Sequence, residues 1–363
     1  MTSVKTLRAA LVGTGAVANA HARAVAAYPR AELVAVADLS PEKAREFAES
    51  YGVAAAYGDL DEMLAAEHPD VVLICTPPGP HRSQALAAFA AGAHVVVEKP
   101  PAPSLDELDD MRAGAEASGR QLAVVFQQRT GTAAAHVRSL LQSGALGRPL
   151  VAVCQTLWFR DADYFAVPWR GKWETEGGGT TLGHGIHQID LLAHLLGDWS
   201  SVQGRLWRLD RETETEDVST ATIVFEQGVV AQLITSAVSP RETSSIRIDT
   251  QKATITVDHV YGHGHENWRI TPAPGFESEA AGWEFPDAEE RSDHGPLLRD
   301  VFDALLDDAT LPATADAPAR SLEIVAGIYA SAASDGAVIT REILAAHPTH
   351  RAGFASPVAD LRR

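Results

Sequence analysis

Apolar runs and helical-period segments alternate through the first third of the chain. Leu7 to Val12 is a short apolar run that passes through Gly13-Thr14-Gly15-Ala16-Val17-Ala18 into alanine-rich helical sequence ending at Tyr28-Pro29. Further apolar runs follow at Glu32 to Ala37, Val71 to Cys75, Val95 to Val97 and Gln121 to Phe126. Between them lie helical segments, one opened by Ser40 with Pro41, another ending near Glu67, a third ending at Ala91, and one that a Ser104/Glu107 capping box starts and Ser118 closes. Strands that are apolar on both faces and alternate with helices predict a doubly wound parallel sheet.

After Phe126 the pattern changes. A helix over Thr132 to Gln142 leads to a strand over Leu150 to Phe159, and then to an irregular stretch, Arg160 to Gly179, dense in large polar and aromatic residues. From Val202 to Val257 several strands with imperfect period-two alternation follow one another without helices, which predicts an antiparallel or mixed sheet. Helices return at Pro296 to Asp307 and Pro318 to Ala333, and the acidic run Arg211 to Asp217 reads as a solvated loop. The expected division is residues 1–126 for the first domain and 127–363 for an α+β second domain.

Size and charge narrow the function. A chain of 363 residues exceeds one ordinary core, and 45% hydrophobic with 21% charged residues is the composition of a globular protein. A formal net charge of −18 disfavours nucleic acid and anionic membrane, both of which need a positive surface. Cys75 and Cys154 both fall in apolar runs, which predicts buried thiols rather than a disulfide. Met1 to Arg8 has no apolar signal core, and no run reaches the roughly 18 apolar residues needed to cross a bilayer, so a cytoplasmic protein is expected.

The candidate chemistry sits at strand ends. Gly13 suits a tight turn, Gly15 lets the backbone approach a pyrophosphate on the following helix N-terminus, and Ala18 permits close helix packing. Asp38 ends the second strand about twenty residues later, where a carboxylate accepts both adenosine ribose hydroxyls and repels a 2′-phosphate; this favours NAD over NADP. Val95-Val96-Val97 delivers Glu98 and Lys99 to the carboxyl edge of the sheet before Pro100-Pro101 stops the strand. A Glu-Lys pair at a strand end is ordinarily a solvated charge pair, whereas at this edge a lysine is placed for chemistry. Gly177-Gly178-Gly179 allows a close backbone approach, and the helix beyond it puts His184 with His187, and His187 with Asp190, three residues apart on shared faces. These residues read as core histidines, as a metal set lacking the usual HExxH or cysteine companions, or as proton-transfer groups; no metal is expected.

The glycine loop, Thr76-Pro77 with His81, Glu98-Lys99-Pro100, and Gly177-Gly178-Gly179 followed by Gly185-x-His187-x-x-Asp190-Leu191 together resemble the glucose-fructose oxidoreductase / inositol dehydrogenase (Gfo/Idh/MocA) family. The likeness extends to Ala319-Arg320-Ser321-Leu322-Glu323-Ile324. It implies an N-terminal Rossmann domain and a C-terminal α+β domain whose large, open, mostly antiparallel sheet makes a homodimer or homotetramer. It also implies hydride transfer between the nicotinamide of NAD(P) and a secondary alcohol or ketone of a sugar, cyclitol or other polyol, with Lys99 and His187 as acid/base pair. Gly13, Gly15, Ala16, Val17, Asp38, Thr76, Pro77, His81, Glu98, Lys99, Gln127, Trp169 and Arg170 are the expected cofactor residues. Lys99, Arg160, Tyr164, His184, His187 and Asp190 are the expected substrate residues, with Trp169 and Arg170 also suited to the sugar wall. Many members carry an aspartate four residues before the histidine; here Gly183 stands there, with His184 next to it as a candidate replacement. Other relatives cleave glycosides by transient oxidation with tightly held NAD, or bind sugar or cofactor as regulators.

Overall fold

The computed structural model describes residues 5–259, 261–311, 318–351, 353–354 and 361. Six strands form the first sheet: β1 (Leu7–Val12), β2 (Ala31–Ala37), β3 (Ala55–Tyr57), β4 (Val71–Ile74), β5 (His94–Val97) and β6 (Leu122–Val124). They lie in the order β3-β2-β1-β4-β5-β6 and every pairing is parallel. The order reverses between β1 and β4, the switch point at which open α/β sheets bind ligands beyond their carboxyl ends. Leu73, Val95 and Ala123 are buried because helices cover both faces, which is why these strands read as continuous apolar runs.

The chain divides into two compact units, and a single boundary near residue 126 describes them incompletely. Of the described residues, 294–311 and 318 belong to the first unit, with 5–102 and 107–127. The reason is apolar: the helix His294–Leu306 turns Leu297, Leu298, Val301, Phe302 and Leu305 into the core beneath β1 and the helix Ala18–Ala27. Tyr28 completes the seam, its ring packed at a tilt against Phe302.

The second unit holds β7 (Pro149–Phe159), β8 (Trp199–Trp207), β9 (Val218–Phe225), β10 (Val230–Ser236), β11 (Val238–Thr250), β12 (Ala253–Asp258), β13 (Trp268–Pro272) and β14 (Ile339–Thr340). Their order is β13-β12-β11-β7-β10-β9-β8-β14, antiparallel throughout except for the β7/β10 pair. Alternate residues along β7 and β9 are buried, as a sheet covered on one face requires. The helices Ile186–Leu196 and Pro318–Ala333 supply that cover: Gly185 lies so close to Thr235 on β10 that a Cβ would meet its methyl at 2.5 Å, and Gly204 on β8 lies against Ile328. The acidic segment ending at Asp217 is a finding against expectation, because Thr215, Glu216 and Asp217 are buried. Asp217 accepts the backbone N–H groups of Leu209, Asp210 and Arg211, which replaces the hydration it gives up.

Candidate active site

In the first unit the glycine turn is shaped as its sequence requires. Gly13 has φ of +87°, and a Cβ there would clash with Thr76 and Cys75; at Gly15 a Cβ would meet nothing within 4 Å. The backbone at Gly15 is thus open on its outer side, and the helix Ala18–Ala27 starts without a side-chain cap. Asp38 accepts the Thr14 N–H and hydroxyl at Oδ2, both at 2.9 Å, and the Ser40 N–H at Oδ1. Burial raises its pKa, but those hydrogen bonds outweigh burial and leave the carboxyl below its ordinary value. An open glycine turn, an uncapped helix start and a fixed carboxylate at the end of β2 fit an adenine dinucleotide. Ala16 is exposed, whereas Val17 is packed against the core and so supports the turn from below.

At the neighbouring strand ends Thr76 donates its hydroxyl to Gln84 Oε1 at 2.7 Å. His81, fully buried, spans the carbonyls of Thr76 and Pro101 at 2.8 and 3.2 Å, tying the loop after β4 to the loop after β5. Pro77 is half-buried between them and Gln127 is buried just beyond β6. Glu98 is not half of a solvated pair. It is 4% exposed, its Oε1 lies 2.9 Å from His21 Nε2 and 3.1 Å from His294 Nε2, and its Oε2 accepts the Lys99 N–H at 3.2 Å. Burial raises this carboxyl, yet the two imidazoles more than offset that and hold it far below the usual carboxylate range. The half-buried Lys99 therefore hangs from a backbone that its own neighbour anchors. Among the described residues, His21, Glu98 and His294 are also the group whose metal-ligating atoms gather within 4.8 Å, and His184, His187 and Asp190 do not gather in this way.

The second unit builds an aromatic and imidazole cluster where the chain enters the helix Ile186–Leu196. That helix is preceded by a π-helical turn, Thr181–Gly185, a local irregularity often found at functional sites. His184 Nε2 lies 2.9 Å from the Tyr164 hydroxyl, and its ring packs against Trp158. His187, 1% exposed, has Nε2 3.1 Å from the hydroxyl of Tyr261, which also packs edge-on against it. Arg160 lies over the faces of Trp158 and Tyr164 and pairs with Glu242 at 2.8 Å. Arg170 stacks on Tyr164 and Trp169, donates to the Tyr164 hydroxyl, and stands 3.7 Å from Glu176. Burial raises the Tyr164 pKa, so this phenol stays a neutral donor and acceptor.

One expectation changes here. Asp190 is fully buried and is bonded to Arg129 and Ser321, so it is not open to substrate. The close backbone approach expected of the triple glycine is made, to protein: a Cβ on Gly178 would meet the Tyr329 hydroxyl at 2.5 Å, and one on Gly179 would collide with Glu216. Glu216 accepts the N–H groups of Gly179 and Thr181 and the Tyr329 hydroxyl, which fixes the backbone leading into His184.

Residues 7–126 match the model of the oxidoreductase family with an NAD-binding Rossmann fold, and residues 134–256 match the GFO/IDH/MocA C-terminal domain. D-glucoside 3-dehydrogenase of Escherichia coli (strain K12) is 33% identical over 280 residues, covering 70% of this chain and 78% of that protein. The chain belongs to the Gfo/Idh/MocA oxidoreductase family. D-apiose dehydrogenase of Paraburkholderia graminis is 30% identical over 239 residues, 63% of this chain and 60% of the relative. Among solved structures, the WlbA dehydrogenase from Bordetella pertussis, in complex with NADH and UDP-GlcNAcA, superposes with a TM-score of 0.83 at 28% identity over 93% of this chain and 99% of its own.

For a Gfo/Idh/MocA member, the residues that sequence reasoning missed are instructive. Trp158, Glu176, Glu216 and Tyr261 surround His184 and His187 or the turn that carries them, yet none stands in a spaced motif. Tyr261 had one weak signal, an aromatic in the histidine-rich stretch Tyr261-Gly262-His263-Gly264-His265. Both cysteines are buried and unpaired with each other, and no described helix is long and apolar enough to cross a membrane.

Proposed function

We propose that this oxidoreductase interconverts a secondary alcohol and a ketone on a sugar or related polyol, with NAD preferred to NADP. When bound, NAD supplies the hydride acceptor or donor; the protein must bind it, position the alcohol and move one proton. Lys99, on the anchored backbone after β5, and His187, set against Tyr261, act as the acid/base pair in this reading. The observation that carries it is the His184/His187 cluster with Trp158, Tyr164, Arg160 and Arg170 around it, a set of aromatic faces, donors and acceptors suited to a hydroxylated ring. The D-glucoside 3-dehydrogenase relative supports a glucoside-type substrate.

A panel of methyl glycosides, free sugars and cyclitols, scored by NADH absorbance, tests the reading. Stoichiometric NADH formation from at least one member is the expected result, and redox-neutral release of an aglycone would assign the chain to glycoside cleavage instead. The same reading includes a homodimer or homotetramer. Val151 and Val230 are in-register neighbours on β7 and β10, 47% and 39% exposed, and Phe159 at 41% lies further along β7. Apolar surface of this kind on an open sheet favours self-association. Light scattering giving one chain per particle would refute that part.

A further inference from the structure

Position 183 is a glycine in the π-helical turn with helical backbone, so no left-handed conformation requires it. Outside its chain neighbours and its own helical backbone, a Cβ built there would find one heavy atom within 4 Å, Glu176 Oε1 at 3.6 Å. The missing side chain thus leaves a small opening beside His184, with a carboxylate at its wall. Glu176 is 8% exposed; its Oε2 accepts the Gly171 N–H at 2.6 Å, and Arg170 Nη1 stands 3.7 Å from Oε1. Arg170 is itself held by its stack on Tyr164 and Trp169, and Tyr164 reaches His184. An acceptor consequently stands at the opening, with a donor beside that acceptor, both fixed by neighbours.

We propose that the opening at Gly183, walled by Glu176 with Arg170 beside that carboxylate, is a subsite for a hydroxyl-bearing edge of an uncharged sugar ring, and that it rejects the corresponding uronate. This rests on the sugar oxidoreductase reading above and specifies its substrate class. A hydroxyl both donates and accepts, so one such group, or two adjacent ones, can bond to Glu176 and Arg170 together. A carboxylate only accepts, and it would bring a second negative charge against a buried one, an arrangement that costs several kcal/mol at close range. Of the two arginines of the cluster, Arg170 already faces Glu176 and Arg160 already faces Glu242.

The test compares kcat and KM for methyl β-D-glucopyranoside and its uronate in wild type, Glu176→Gln and Gly183→Ala, with NAD affinity and Tm as controls. Wild type should favour the neutral glycoside by about a hundredfold, and Glu176→Gln should shrink that ratio about tenfold or more through the KM for the uronate. Gly183→Ala adds a methyl at an ordinary contact distance, so Tm and NAD affinity should hold while KM for the neutral glycoside rises about tenfold. This variant decides the matter should Glu176→Gln not fold. A wild type that takes the uronate equally well, an unchanged ratio in Glu176→Gln, or an unchanged KM in Gly183→Ala would each overturn the subsite alone. Failure of wild type to oxidise either glycoside, or any sugar or cyclitol of the wider panel, would overturn it together with the reading on which it rests.

Discussion

Arg129 closes both oxygens of Asp190 inside the second unit: Nε reaches Oδ2 at 2.6 Å and Nη2 reaches Oδ1, to which Ser321 Oγ adds a third bond at 2.5 Å. The pair is almost wholly shielded from water. A carboxylate so occupied ties the helix Ile186–Leu196 to the segment after Gln127 and to the helix Pro318–Ala333. It carries stability rather than proton transfer.

Asp190→Asn should therefore act on folding. Removing one partner of a buried ion pair strands the other charge, so a loss of about 3 to 5 kcal/mol is expected, read as a lower denaturation midpoint. Ser321→Ala should cost about 1 kcal/mol. Folded Asp190→Asn retaining most of its turnover would match this assignment; a stable protein with a large fall in kcat would place Asp190 in the catalytic machinery instead.

Glu98 predicts an acid limit in the first unit. Its folded pKa is depressed below the unfolded value, so the unfolded state binds more protons as pH falls. The contribution is complete above about pH 4.3 and shrinks as pH drops toward the folded value. Glu98→Gln should be destabilised at neutral pH by about 3 kcal/mol, and its stability curve should converge with wild type in acid. Thermal unfolding across roughly pH 3 to 7 checks this, and parallel curves would show that the carboxylate charge is not involved.

Asp38 should set cofactor choice. Wild type should bind NAD more tightly than NADP, because a 2′-phosphate would face a carboxylate that its hydrogen bonds keep ionised. Asp38→Ala should narrow the difference by about tenfold or more, with Lys43 nearby to favour the phosphate. Fluorescence titration with both dinucleotides measures it; equal affinities in wild type would sink the assignment.

The proposed acid/base pair makes the largest kinetic claim. Lys99→Met and His187→Asn should each lower turnover by roughly 10² to 10⁴ while NAD affinity changes little. Tyr261→Phe, which removes only the hydroxyl against His187 Nε2, should cost about tenfold. His184→Asn measures how far the neighbouring imidazole shares the work. Near-wild-type turnover in Lys99→Met would end the claim for the strand end.

The parallel sheet, the glycine turn, Asp38 and the helix carrying His187 were legible in the sequence because each is a local signal. Strand and helix periods, a glycine demanded by a positive φ, and a carboxylate one strand from its turn all lie within a few tens of residues. Which charge meets which was not legible. Asp190 finds Arg129 and Ser321 at separations of 61 and 131 residues, and Glu98 finds His21 and His294 at 77 and 196. Glu216, in a run whose composition reads as solvated, is drawn inside by the N–H groups of a glycine turn and by Tyr329. Buried polar groups must be satisfied by whatever the fold brings near them, and no spacing rule encodes such partners. The sequence by itself thus determined the elements and the chemistry-bearing strand ends and helix; only the tertiary structure decided which of those charges hold the protein together and which face an opening.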